Sequence, residues 1–357
     1  MTFFDLIGDE QFRNYVSKRI SDSIFDSSYN WNEKELTLYR YTKLENYAIE
    51  DIINRQVTCS PNNTFNDLFD STIHQYGSDE ECRQAALSEW EEYNTLFKNV
   101  GLPNFLNKEV FIKNAVNRHK KESRLRFRYN DNIGGYICCF SAVNDSVLMW
   151  SHYANSSQGI CIEYDFSVLP SDSLIKNMIF PVGYTDSPLD LSDLIDDTME
   201  NRICKSSIDA AILCSSLTKA SVWNYEKEWR IFVPKSLYSS QLRRVKWRIQ
   251  IKPKKIYFGY HFLKPFFYYS QDKEKHEQEK SACKTRRKEL LTLLEFMKSN
   301  NINAAVMVPS IGNYRVVEKQ IEVEKLIEFV TNKFSNSILP IHLYHVVQDN
   351  LLDMLDK

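Results

Sequence analysis

The chain is poor in glycine, with nine in 357 residues, and it contains neither a G-x-G-x-x-G run nor a Walker-type loop. That excludes the usual backbone cradles for phosphate, so phosphate recognition would have to come from side chains. The eight cysteines (59, 82, 138, 139, 161, 204, 214 and 283) are dispersed, with no Cys-x-x-Cys pair. No His/Cys/Asp spacing makes a metal site convincing, and none is expected. No apolar run approaches the ~20 residues that span a bilayer. The net charge of −2 gives no global attraction to nucleic acid or an anionic surface, so such binding would need a local patch. Met1-Thr2-Phe3-Phe4-Asp5 lacks the charged and apolar regions of a signal peptide. The expectation is a cytoplasmic chain with reduced thiols and no membrane partner.

What the chain has instead is aromatic: 20 Tyr and 21 Phe in an otherwise ordinary globular composition. Alternation of aromatic and polar residues predicts a strand at Leu36–Thr42, Tyr136–Ser141 reads as a buried strand, and Val57–Cys59, Gly159–Tyr164, Trp229–Val233, Val245–Ile251, Ile256–Gly259 and Ala304–Val308 read as further strands. Helical spacing marks Glu10–Ile24, Leu44–Asn54, Asp79 to about Arg128 with a break at Gly101-Leu102-Pro103, Arg202–Thr218 and Ile321–Phe334. A short helix capped by Asp145 or Ser146 carries Trp150 to Tyr153. Ser60 to Asn63 reads as a turn, 185–200 as an acidic surface segment, and Ser270–Arg287 as a charged insertion leading into a helix that ends near Ser299. Together these predict an α+β fold, a mixed or split β-sheet core with inserted helices. Residues 1–35 would form a polar, partly helical leader. Residues 36–260 would form the motif-bearing core, and 261–357 a helix-strand-helix extension packed on it.

Four clusters mix aromatics with a cation, amide or carboxylate at close spacing. They are Leu38-Tyr39-Arg40-Tyr41-Thr42, Phe65-Asn66-Asp67-Leu68-Phe69-Asp70, Leu148-Met149-Trp150-Ser151-His152-Tyr153 followed by Gly159 to Tyr164, and Trp223 to Arg230. A packing core needs no such mixture, which points to one polar site assembled from several elements. In an extended strand Glu226, Glu228 and Arg230 would share a face, and two close carboxylates repel, raising one pKa and suiting it to acid/base or ribose-binding work. The alternative is a structural ion pair. Arg40 between Tyr39 and Tyr41 suits a phosphate or carboxylate, or else stacks as a structural arginine. Asn66, Asp67 and Asp70 hold a ligand or make turn hydrogen bonds. His152, beside Trp150 and Tyr153, is a general base, a hydrogen-bond partner of a ligand hydroxyl, or a packing residue. Cys139 has no activating neighbour in sequence.

Two basic stretches are anion-binding candidates. One runs through Arg118, Lys120, Lys121, Arg124, Arg126 and Arg128. The other alternates Lys246, Arg248 and Lys252 with apolar residues, giving a strand with one basic face that would contact nucleic acid, or simply protect a sheet edge.

In order and spacing the four motifs resemble a bacterial family, the domain of unknown function numbered 2971. Its pattern is a Tyr-Arg-Tyr strand, a Phe-Asn-Asp-x-Phe-Asp/Glu loop, Met-Trp-Ser-His-Tyr-Ala running into Gly-Ile-x-Ile-Glu, and Lys followed by Trp-x-x-Glu-x-Glu-Trp-Arg. Here these are Tyr39–Tyr41, Phe65–Asp70, Met149–Ala154 with Gly159–Glu163, and Lys219 with Trp223–Arg230. A more distant similarity is to ADP-ribosyltransferases, which set an Arg or His on an early strand against NAD and a catalytic Glu late in the chain, often as Glu-x-Glu. That resemblance implies an NAD-using transferase with Glu228 catalytic, Glu226 its partner and Arg40 a phosphate anchor. Tyr39, Tyr41, Asn66, Asp67, Ser141, Trp150, His152, Tyr153 and Arg230 would line the substrate site. The Ser-Thr-Ser strand of that superfamily is missing, Phe140-Ser141 being the nearest candidate. The acceptor would be a protein or nucleic acid, and the role one in anti-phage or toxin-like defence. Two rival expectations stand: a nuclease or phosphoesterase holding a divalent ion on Asp67, Asp70, Glu226 and Glu228, and a non-enzymatic module sensing a nucleotide or nucleic acid.

Overall fold

Period-two alternation in Thr37–Thr42 sends Leu38 and Arg40 to one side of a strand and Tyr39 and Tyr41 to the other. The computed structural model describes residues 36–61, 65, 67, 70–71, 79–101, 106–125, 135–170, 173–186, 213–234, 247–269, 273–334 and 338–355. Its strands are β1 Thr37–Thr42, β2 Gln56–Thr58, β3 Ser60–Pro61, β4 Gly135–Ser141, β5 Ile160–Asp165, β6 Ile179–Pro181 and β7 Gly183–Thr185. They continue with β8 Thr218–Ala220, β9 Glu228–Pro234, β10 Arg248–Gln250, β11 Pro253–Phe258, β12 Asn303–Pro309 and β13 Val316–Ile321. The helices are α1 Asn46–Ile53, α2 Asp79–Asn99, α3 Lys108–Leu125, α4 Val147–His152, α5 Leu174–Met178, α6 Lys273–Ser299, α7 Val323–Phe334 and α8 Tyr344–Leu355.

The fold is α+β. Among the described residues nine strands form one sheet in the order β13-β12-β11-β5-β1-β4-β9-β6, with β3 also on β4. Its pairs are antiparallel except β11 with β12, which run parallel. Parallel neighbours need a long crossover, and α6 supplies it. The larger core lies on the Leu38 face, where Ile162, Ile256, Phe258 and Val306 meet Ile49 and Ile52 of α1 and Leu290, Leu293, Leu294 and Met297 of α6. A smaller cluster lies on the other face, where Tyr41, Cys161, Tyr257, Ala305 and Met307 meet Met149 and Trp150 of α4. The register carries that second face across the sheet: Glu163 is opposite Tyr39, Tyr39 opposite Ser141, and Ser141 opposite Glu228.

Several expectations are corrected. Ser60-Pro61 is not a turn but pairs with Ile137 and Tyr136. The predicted helix over Arg202–Thr218 ends earlier, because Thr218 begins β8 against β7; residues 202–212 lie outside the described residues. The strand expected over Val245–Ile251 is three described residues long, paired with β2 in a separate ribbon. The charged insertion after Ser270 is the first half of α6, whose buried leucines are confined to its second half, so helical periodicity is weak before them. The helix expected from Ile321 starts at Val323. Before it comes β13, an edge strand with only Ile321 buried and therefore without a clear alternation, and α8 follows. The stretch 261–357 supplies β12 and β13 to the same sheet as β1. The expected helix at Glu10–Ile24 and acidic segment beyond Asp186 lie outside the described residues. No helix among the described residues is long and apolar enough to cross a membrane.

Candidate active site

Trp223 to Glu226 lie on a 3-10 turn, Ser221–Glu226, and Lys227 reverses the chain with φ +45° before β9 begins. Glu226, Glu228 and Arg230 therefore do not share one strand face as the i, i+2, i+4 spacing predicted. Only Glu228 and Arg230 do, and Glu226 reaches the same place from the turn. Ser141 Oγ pins that turn by donating to the Glu226 carbonyl at 2.6 Å, and Ala142 N–H donates to Lys227 O at 2.9 Å.

The three side chains join Lys219 of β8 and Asp70 in a buried ion cluster. Relative exposures are 1% for Arg230, 2% for Asp70 and Glu226, 5% for Glu228 and 8% for Lys219, low enough that each charge depends on its neighbours rather than on water. Arg230 grips Asp70 bidentately, Nη1 to Oδ1 at 2.8 Å and Nη2 to Oδ2 at 2.6 Å. Its Nε and Nη2 donate to the two Glu228 oxygens at 2.8 and 3.0 Å, and Nη1 also donates to Ser216 O at 2.6 Å. Lys219 Nζ donates to Glu226 Oε2 at 2.5 Å and Glu228 Oε2 at 3.2 Å, and lies 4.0 Å from Asp70 Oδ2. Tyr153 OH completes the set, donating to Glu226 Oε1 at 2.6 Å.

Two cations cannot neutralise three carboxylates, and the surplus falls on Glu226. Burial pushes its pKa up, Lys219 opposes the rise, and the Glu228 charge adds to it. Burial would raise Glu228 too, but Arg230 and Lys219 together hold it down to about 2. Burial and the Glu226 carboxylate push the Tyr153 phenol up, so it stays a donor.

This cluster forms one side of a cavity of about 160 Å³. Tyr39, Tyr41, Phe65, Phe140, Met149 and Tyr153 line it, with Cys139 and Ser141 between them. Two details of the connection after α4 hold Tyr153 in place. Asn155, Ser156 and Ser157 have φ of 51°, 54° and 62°, and this left-handed turn brings the chain onto the turn that follows β11, where Ser157 O accepts His261 N–H at 2.9 Å. Gly159 then packs so tightly on β1 that a Cβ there would meet Thr42 O at 2.2 Å.

Residues 149–231 match a family described as a protein of unknown function (DUF2971). The matched residues carry Met149, Tyr153, Lys219, Glu226, Glu228 and Arg230. Tyr39, Tyr41, Phe65, Asp70 and Ser141 complete the same cavity from outside them. No curated protein and no solved structure matches the chain.

Of the residues expected at the site, the fold brings together Tyr39, Tyr41, Ser141, Tyr153, Glu226, Glu228 and Arg230. His152 is exposed beside it, with Nδ1 3.0 Å from Tyr225 OH. Trp150 is buried edge-on against Tyr41 and donates Nε1–H to Asn144 O at 2.8 Å, which makes it a packing residue. Arg40 is on the opposite face of the sheet. Its Nη1 donates to Cys138 Sγ and Nη2 to Thr58 O at 3.3 Å, so it cannot anchor a phosphate in this cavity. Asp67 is half-buried and is not among the cavity's lining groups, and Asn66 lies outside the described residues. Arg248 and Lys252 are exposed on and beside the two-stranded ribbon, Lys252 donating to Asn300 O at 3.2 Å, while Lys246 lies outside the described residues. In the other basic stretch Arg118 pairs with Glu89 and Lys120 with Asp79, tying α3 to α2.

Sequence reasoning missed Lys219, Phe65, Cys139, Phe140 and Met149 as site residues. Lys219 stood in the family pattern without a role. The signal for it was arithmetic: three acidic residues converge on one site with only Arg230 to balance them.

Proposed function

We propose that the cavity cleaves the glycosidic bond of a cationic N-ribosyl pyridinium, NAD, in the manner of an ADP-ribosyltransferase. The observation that carries this is Glu226, a carboxylate with one hydrogen-bond donor on each oxygen, at the side of a cavity walled by six aromatic and thioether side chains. A positively charged aromatic ring suits electron-rich tyrosine faces, and the surplus negative charge of the cluster favours it further. As the ring leaves, its nitrogen takes the bonding pair and becomes neutral, while positive charge develops on the ribose. Glu226 is the anion for that charge, held in place by Tyr153 and Lys219. Water or another nucleophile then captures the ribosyl cation and loses a proton.

Glu226 takes the role that the Glu-x-Glu resemblance assigns to Glu228. Glu228 is saturated by Arg230 and Lys219, and serves to position Lys219 and β9. A cavity of about 160 Å³ is smaller than the ~300–1,000 Å³ usual for whole ligands, so it would take the pyridinium and the adjoining ribose face, with the rest of the dinucleotide outside. The donor set also argues against a divalent ion. Asp70, Glu226 and Glu228 already share Lys219 and Arg230, and an ion could enter only by expelling a buried cation.

The test is release of nicotinamide from NAD, followed by chromatography, for the wild type, Glu226→Gln and Glu228→Gln. Release by the wild type that falls at least a hundredfold in Glu226→Gln, with the melting temperature kept, supports the proposal. No release by the wild type with protein and nucleic-acid acceptors present, or equal rates in Glu226→Gln, overturns it.

A further inference from the structure

The residue expected to hold phosphate, Arg40, holds sulfur instead. It meets Cys138 on the face of the sheet opposite the cavity, in a setting that site does not use. Cys138 lies on β4, which pairs with β3 through Ser60 opposite Ile137 and Pro61 opposite Tyr136. One residue further along this antiparallel register, Cys59 stands opposite Cys138. Cys59 sends its N–H to Trp247 O at 2.8 Å, not across to β4. The pair is therefore of the non-hydrogen-bonded kind, whose Cα atoms lie ~4.5 Å apart with side chains close together. That falls inside the ~4.4–6.8 Å that a disulfide requires. Both thiols are 1% exposed, in hydrogen-bond contact with each other, and Arg40 Nη1 donates to Cys138 Sγ.

We propose that Cys59 and Cys138 are a peroxide-modified thiol pair that closes to an intramolecular disulfide. Arg40 favours the thiolate of Cys138, and Cys59 is the resolving thiol that donates to it. The Cys138 thiolate attacks one oxygen of a hydroperoxide, breaks the O–O bond and becomes a sulfenic acid, with hydroxide leaving. The Cys59 sulfur then attacks the Cys138 sulfur, expelling its hydroxyl group as water while the Cys59 proton is lost. Overall, two thiols and one hydrogen peroxide give one disulfide and two waters. Burial sets the choice of oxidant. At 1% exposure each thiol is closed to a bulky disulfide such as oxidised glutathione, so the oxidant must be as small as hydrogen peroxide. The bond would staple β3 to β4, at the start of the chain segment that delivers Phe65 and Asp70 to the cavity.

The experiment is treatment of the folded wild type with hydrogen peroxide and, separately, with oxidised glutathione. The remaining thiols are then alkylated under denaturing conditions and peptides mapped by mass spectrometry. Expected is a peptide cross-link between Cys59 and Cys138 with peroxide, reversed by dithiothreitol, and none with glutathione. In Cys59→Ser, Cys138 should stop at the sulfenic acid and be trapped by dimedone. Recovery of both residues as free thiols after peroxide, or preferential oxidation of the cavity-lining Cys139, would overturn the proposal. None of these readouts depends on turnover of NAD.

Discussion

Replacing Arg230 by Met tests the ion cluster most directly, because it removes the cation and keeps an unbranched apolar stem. The structure shows what would be stranded. Asp70 loses a bidentate partner at 2.8 and 2.6 Å, Glu228 loses donors at 2.8 and 3.0 Å, and Ser216 O loses one at 2.6 Å. Lys219 alone would face three carboxylates. Breaking a buried pair on one side costs about 3–5 kcal/mol, a large part of the ~5–15 kcal/mol that holds a domain folded. At roughly 2 °C per kcal/mol in a large domain, the melting temperature should drop by about 6–10 °C. Arg230→Lys keeps charge without the planar fork and should cost less, about half as much. Urea unfolding of Asp70→Asn, Arg230→Met and the double variant completes a cycle, with an expected coupling of about 1–3 kcal/mol. A loss below 1 kcal/mol in Arg230→Met, or strict additivity with Asp70→Asn, would refute the view that this cluster ties the Asp70 segment to β9.

Glu228, held down to about 2, contributes stability that is complete above the ordinary carboxylate range and lost as the pH falls toward 2, an effect of about 3 kcal/mol. Glu226 has the opposite sign, because its pKa is raised: its ionisation weakens the fold as pH rises, and acid restores that stability. Glu228→Gln should therefore flatten the acid limb of a stability–pH curve, while Glu226→Gln should leave that limb and hold or raise stability at neutral pH; the reverse pattern would mean the two assignments are exchanged. Gly159→Ala must push Thr42 O or the left-handed turn aside, and should destabilise by about 2 kcal/mol or more in chemical denaturation. Arg40→Met should lower the melting temperature by several degrees and leave the KM for NAD unchanged. A raised KM with an unchanged melting temperature would restore Arg40 to the substrate site.

The sequence by itself determined the class of fold and most of the strands. Strand character is a local property: Thr37–Thr42 alternates aromatic with polar residues, while Gly135–Ser141, Ile160–Asp165 and Asn303–Pro309 are short, largely apolar runs buried on both faces. It failed where the neighbours decide. Half of β13 is exposed and only Ile321 is buried, and the side chains described in the first half of α6 are almost all exposed or half-buried, so neither carries a readable period. For the candidate site, the four motifs picked out segments that the fold brings to one cavity, because aromatics mixed with charge are locally conspicuous. The partners within them followed from nothing local. The parity of β1 put Tyr39 and Tyr41 in the cavity and Arg40 behind it, and which side faced Glu228 depended on β1 pairing with β4 and β4 with β9. The left-handed Lys227 took Glu226 off the strand that spacing alone would have continued. Asp70 reaches Arg230 across 160 residues, and Lys219 reaches Glu226 from a different strand pair. Which of two nearby carboxylates is held down and which is pushed up depends on where two buried cations sit, and only the tertiary structure places those charges.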